Sequence, residues 1–166
     1  MPIAAQKITP CLWFDTEAEQ AARFYCSIFK DSRIGTISHF NREGKEIHGK
    51  NAGSVMAVAF ELEGQKFSAL NGGPQFKFSE AISFQVHCND QTEVDYFWAK
   101  LCDGGQEGPC GWLKDRYGLS WQIVPKALFE MLSGADREKS ERVTKAFLQM
   151  KKFDIAALER AYAGQD

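Results

Sequence analysis

Apolar and polar positions along the chain follow two periods, and each change of period marks a new element. Lys7-Ile8-Thr9-Pro10-Cys11-Leu12-Trp13-Phe14 reads as extended chain, and the segment after Asp15-Thr16 switches to a helical period. There Ala21, Phe24, Tyr25 and Ile28 fall at i, i+3, i+4 and i+7, on one face of a helix that ends near Lys30. Asp15 or Thr16 can cap it. Three extended segments follow, 33–40, 55–62 and 66–70, and Glu63-Gly64 forms the hairpin turn between the last two. The intervening stretch 41–53 (NREGKEIHGKNAG) is polar, contains glycine and has no period, so a long exposed loop is expected. Asn71-Gly72-Gly73-Pro74 closes this half with turn chemistry.

The pattern then begins again. Ser83-Phe84-Gln85-Val86-His87-Cys88 reads as a strand, and a helix capped by Asn89 or Asp90 carries Val94, Phe97, Trp98 and Leu101 on its apolar face. Each of these four lies 73 positions after its counterpart in the first helix, and the same offset places Pro10 on Ser83 and Phe14 on His87. Such self-similarity is the mark of an internal duplication. Gly104-Gly105 stops the second helix, and strands around 111–114 and 119–124 flank a turn at Asp115-Arg116-Tyr117-Gly118. This half is shorter between its helix and its last turn, so it has shorter strands or lacks the long loop.

After Pro125 the pattern becomes helical. Phe129-Glu130-Met131-Leu132 forms a short piece ending at Ser133-Gly134; Asp136 can cap a helix carrying Val143, Phe147 and Met150; Asp154 can cap a third carrying Ile155, Leu158 and Tyr162. Phe153 and Leu158 have the N′ and N4 spacing of a hydrophobic staple. These apolar faces must cover either a sheet edge of their own chain or a second subunit.

Composition narrows the function classes. The 166 residues carry Lys+Arg 20 against Asp+Glu 22, a net charge of −2, and no basic run exceeds Lys151-Lys152. A phosphate backbone would find no electrostatic footprint, so no nucleic-acid partner is expected. No apolar stretch approaches the ~20 residues of a membrane helix, so no membrane partner is expected either. Met1-Pro2-Ile3-Ala4-Ala5 lacks the layout of a secretion leader, and a cytoplasmic location is expected. The five cysteines form no Cys-x-x-Cys pair and read as reduced, small apolar side chains. Cys88 precedes a helix start, whose dipole would lower its pKa. His87 beside it points to the opposite face of the strand, so the two make no dyad.

Five stretches carry a resemblance: 8–14 (ITPCLWF), 69–74 (ALNGGP), 81–86 (AISFQV), 108–115 (GPCGWLKD) and 118–125 (GLSWQIVP). With the tandem modules they resemble the PhnB-like branch of the vicinal oxygen chelate superfamily, which has the glyoxalase and bleomycin-resistance fold. The resemblance implies an α+β chain of two tandem βαβββ modules, about 7–73 and 81–125, each curling into half of an open barrel. Residues 126–166 form a C-terminal helical extension of the same domain, and a homodimer is expected. In metal-using members, His and Glu from the first and last strands of each module hold a divalent ion. Those positions fall here at Thr9 or Pro10, Leu70 or Asn71, Ile82 or Ser83, and Gln122. None is a His or a carboxylate, so neither a metal nor another cofactor is expected. His39 and His48, with Glu43 and Glu46 between them, could form a nonstandard site, or the loop could be a polar lid. The branch is often named for methyl transfer to demethylubiquinone. The Gly-rich segments 71–74 and 103–105 follow a strand and end a helix respectively, which is not the strand-to-helix loop that common methyl-donor folds use.

The aromatic residues on strands, Trp13, Phe67, Trp112 and Trp121, are candidates to line the cup, with Asn71, Ser83, Gln85 and Gln122 as polar anchors. They could equally fill the space between sheets. The expected function is binding of a small apolar or aromatic molecule without the usual metal. The alternatives are a superfamily enzyme with an unusual site and the methyltransferase of the branch name.

Overall fold

In a computed structural model, which describes residues 6–165, the first apolar run is β1 (Cys11–Phe14) and the first helical period is α1 (Ala18–Ile28). The stretch Met1–Ala5, read above for a leader, lies outside the described residues. β2 (Arg33–His39), β3 (Val55–Leu62) and β4 (Gln65–Asn71) complete a four-stranded sheet in the order β1-β4-β3-β2. β1 and β4 run parallel and the other pairs antiparallel. Glu63 and Gly64 both take positive φ, 47° and 82°, as the hairpin turn that matches strand twist requires. One face of the sheet is buried beneath α1, through Leu12, Phe14, Val58, Phe60 and Phe67. Tyr25 of α1 lies over Phe60 with ring centroids 6.2 Å apart.

The loop expected over 41–53 is more ordered than its composition suggests. It contains α2 (Lys45–His48), a single helical turn set between left-handed Gly44 and Gly49. His48 holds the turn together: its Nδ1 accepts from Lys50 N–H at 2.9 Å and its Nε2 lies 3.1 Å from Glu43 O. Both ring nitrogens are thereby engaged within the loop.

The second module repeats the plan with β5 (Ser83–Cys88), α3 (Gln91–Cys102), β6 (Gln106–Glu107), β7 (Trp112–Lys114) and β8 (Ser120–Pro125), ordered β5-β8-β7-β6. β6 and β7 are the shortened strands, and β6 has no signal in the sequence. Asp90 caps α3 by accepting from Glu93 N–H at 2.9 Å.

Strand register corrects the offset read from the sequence. Phe14 pairs with Asn71 and Cys88 pairs with Pro125, each at the end of its parallel ladder, so Phe14 corresponds to Cys88 rather than His87. The helices keep the offset of 73, but the strand-to-helix connection is one residue shorter in the second module. In a strand a one-residue slip exchanges the two faces.

The tail forms α4 (Lys126–Ser133), α5 (Arg137–Phe147) and α6 (Ile155–Ala163). It packs on its own chain. Val124 of β8 is buried in one cluster with Leu128, Met131, Val143, Phe153 and Leu158, so both staple residues lie in the same core. Cys110 and Gly111 N–H donate to Met150 O and Lys151 O at 2.8 and 2.7 Å. The Gln91 amide of α3 donates to Phe153 O at 3.0 Å and accepts from Ile155 N–H at 2.8 Å. Contacts divide the chain near Lys77 into two units, the first module and the second module with its tail.

Candidate functional site

Alternation along each strand assigns every candidate to a helix-covered face or to the opposite, open one. In the first module Trp13 is on the open face, in register with Leu70 and Ala57. Its Nε1–H donates to Gly73 O at 2.9 Å, and its ring meets Phe76 edge-on at 4.9 Å. Only a glycine fits at 72, since a Cβ there would stand 2.2 Å from the indole.

Phe67 and Asn71 are on the other face, which corrects their expected place in a cup. Phe67 stacks on Phe60 at 5.2 Å, beneath α1. Asn71 accepts from Ala18 N–H at 2.8 Å and donates from Nδ2 to Val55 O at 3.0 Å. It is therefore the cap of α1, supplied from another strand. Asp15 and Thr16 do not cap the helix, and Glu17, at the N-cap position, makes no side-chain cap bond.

In the second module Ser83, Gln85, Trp112 and Gln122 share the open face. Gln85, Gln122 and Trp112 form one row across three strands. Gln122 Nε2 donates to Ser83 Oγ at 2.8 Å, and Gln85 Nε2 approaches Gln122 Oε1 at 3.4 Å. Trp121 faces the helix instead, 3% exposed, with its ring 5.6 Å from Phe84. Its Nε1–H donates at 2.9 Å to Asp115, whose carboxylate also receives Tyr117 and Leu119 N–H across the turn.

The four tryptophans thus differ in one respect. Trp13, Trp98 and Trp121 donate their indole N–H to Gly73, Glu107 and Asp115. Trp112, half-buried, is the one tryptophan among the described residues whose N–H has no acceptor in the protein. Beside it opens a cleft of about 430 Å³, lined by Glu80, Gln106, Pro109, Trp112 and Lys114 among others. Lys114 Nζ meets Glu80 Oε1 at 2.5 Å, and this bond holds the Glu80 carboxyl below the usual carboxylate range. Neither residue is among the candidates the sequence pattern offers. Lys114, two positions after Trp112 on a strand, could have been found by alternation; Glu80 lies in a connector with no period to place it.

The donor set at the expected metal positions does not fit a transition metal. The Asn71 amide is committed to α1 and Val55, and the Gln122 amide to Ser83. Among the described residues no three His, Cys, Asp or Glu side chains converge. His39 and His48 are not joined with Glu43 and Glu46 in such a group, and His48 serves the loop. Cys88 departs from expectation too: burial, with Glu93 and Asp90 nearby, pushes its thiol up to about 12 rather than lowering it. Gly72 N–H donates to Phe14 O and Gly105 N–H to Cys102 O, so neither Gly-rich segment opens a helix.

Two βαβββ modules, each with a mixed four-stranded sheet under one helix, define the glyoxalase and bleomycin-resistance fold of the vicinal oxygen chelate superfamily. Within it, the chain belongs to the 3-demethylubiquinone-9 3-methyltransferase family, whose model matches residues 6–124. A putative 3-demethylubiquinone-9 3-methyltransferase, PhnB protein, from Bacillus cereus is 34% identical with a TM-score of 0.63, covering 72% of this chain and 99% of its own. The fosfomycin resistance protein FosX from Mesorhizobium loti is 13% identical with a TM-score of 0.54, over 80% of this chain and 100% of its own. FosX from Listeria monocytogenes is 12% identical with a TM-score of 0.50, over 77% and 98%. The last two share the fold. No curated protein matches the chain.

Proposed function

We propose that the chain binds a small aromatic or apolar molecule on the open face of its second module, without a resident metal. Trp112 is the platform, and Ser83, Gln85 and Gln122 are the polar anchors. The observation that carries this reading is the Trp112 indole, half-buried beside a cleft with its N–H unused while the other three are tied. An indole in that position offers a ring face and a donor together, and aromatic pairs add about 0.5–1.5 kcal/mol beyond their buried area. Trp13 offers a second ring on the first module's open face, with its N–H already engaged.

A thermal-shift screen of quinones, aromatic antibiotics and S-adenosylmethionine tests the reading. A ligand at 100 times its Kd stabilises by about 2.7 kcal/mol. Aromatic ligands should raise Tm, and Trp112→Ala should abolish the rise. A shift with S-adenosylmethionine that survives Trp112→Ala would favour the methyl transfer in the family's description. The same proposal includes a cytoplasmic homodimer, as the superfamily resemblance implies; light scattering that returns a monomer mass, or a chain found outside the cytoplasm on fractionation, would remove that part.

A further inference from the structure

Resting on the binding reading above, we infer that the ligand of the second module is an aromatic carboxylate. Its ring lies on Trp112 and its carboxylate is taken by Lys114, displacing Glu80.

The strand ladder brings these groups together. Ser83, Ser120 and Lys114 form one row across β5, β8 and β7, directly beside the row of Gln85, Gln122 and Trp112. Lys114 and Trp112, two apart on one strand, therefore present a cation and a ring on the same face. Trp112 and Lys114 both line the cleft, so a ligand group beside the ring meets the Lys114 ammonium. The group must accept a hydrogen bond from an ammonium, which a carboxylate does.

Glu80 shows the same chemistry from within the chain. It lines the cleft, is itself exposed, and places its own carboxylate on Lys114 at 2.5 Å. A ligand carboxylate would replace one anion by another on the same ammonium, so the charge at Lys114 stays balanced. The other charge lining the cleft, Glu107, is engaged by Lys151 at 3.7 Å and by the Trp98 indole. An exposed ion pair of the Lys114–Glu80 kind contributes little to stability and is readily exchanged.

Tryptophan fluorescence titrations with benzoate and its neutral isostere benzamide test the inference on the full chain. Benzoate should bind at least tenfold more tightly. Glu80→Gln, which removes the internal competitor, should tighten benzoate several-fold and leave benzamide unchanged. Lys114→Met should make the two probes equal, with near-ultraviolet circular dichroism confirming that each variant is folded. Benzamide binding as well as benzoate, or Glu80→Gln without effect on benzoate, overturns the carboxylate inference and leaves the binding reading standing. If benzoate, benzamide and every aromatic compound of the thermal-shift screen fail to bind, the binding reading falls and the inference with it.

Discussion

Asn71 ties three elements with one amide. Its Oδ1 caps α1 and its Nδ2 holds the start of β3, all with the side chain buried. Asn71→Ala should destabilise the first module by about 1–3 kcal/mol, the cost of leaving buried partners unsatisfied. Urea denaturation measures it, and an unchanged midpoint would contradict the role. Cys88 makes a pH prediction. Its thiol titrates ordinarily at 9.0 but is pushed up to about 12 in the fold, so between those values the folded chain keeps a proton that the unfolded chain has lost. Its contribution to stability is present below pH 9.0 and fades as the pH climbs toward 12. Cys88→Ala should therefore lose less stability than the parent from pH 9.0 to 11, in denaturation curves taken across that window. Equal slopes would show that the thiol titrates ordinarily. Neither residue's part was legible locally: the amide that caps α1 comes from 53 positions away in the chain, and the burial around Cys88 is tertiary.

At the scale of elements, the helices were the most legible part. A period of 3.6 tolerates a shift of one residue in the connections, so Ala21, Tyr25 and Ile28 and their counterparts Val94, Trp98 and Leu101 were found on buried faces. Strand faces were harder. The open-face positions of β8 do not all read as exposed, because the tail buries Val124 and Ser120 is fully enclosed, so alternation is masked in Ser120-Trp121-Gln122-Ile123-Val124-Pro125. Phe67, Asn71 and Trp121 are expected in the cup only as strand aromatics and a polar strand residue, and register places them beneath the helices. The tail also makes a prediction of its own. Phe153 is 2% exposed, lies edge-on to Phe147 and leaves no room for a Cβ at Gly111. Phe153→Ala should cost about 3–5 kcal/mol, as aromatic truncations in a core do. Chemical denaturation followed by circular dichroism would reveal it, and a loss below about 1 kcal/mol would mean that the tail is not part of the second module's core.

For the whole molecule, duplication was visible in the spacing, and the two units carry it: equivalent sheets, with one long loop in the first and a three-helix tail on the second. Duplication of the scaffold did not duplicate the chemistry. The open face of the first module offers Trp13 with its N–H spent, whereas that of the second offers Trp112, the amide row and Lys114. Five of the eight candidate residues lie on open faces, Trp13, Ser83, Gln85, Trp112 and Gln122, because their strand positions follow the parity of the covered residues beside them. The Lys114–Glu80 pair needed the fold, since it joins a strand to a connector. The proposed role of the second module's open face is to bind an aromatic molecule. Two-dimensional NMR of the four indole N–H groups, recorded while aromatic probes are added, tests it most directly. The Trp112 resonance should move, while those of Trp98 and Trp121, tied to Glu107 and Asp115, hold still. Movement of Trp98 or Trp121 without Trp112, or no movement at saturating probe, would contradict it.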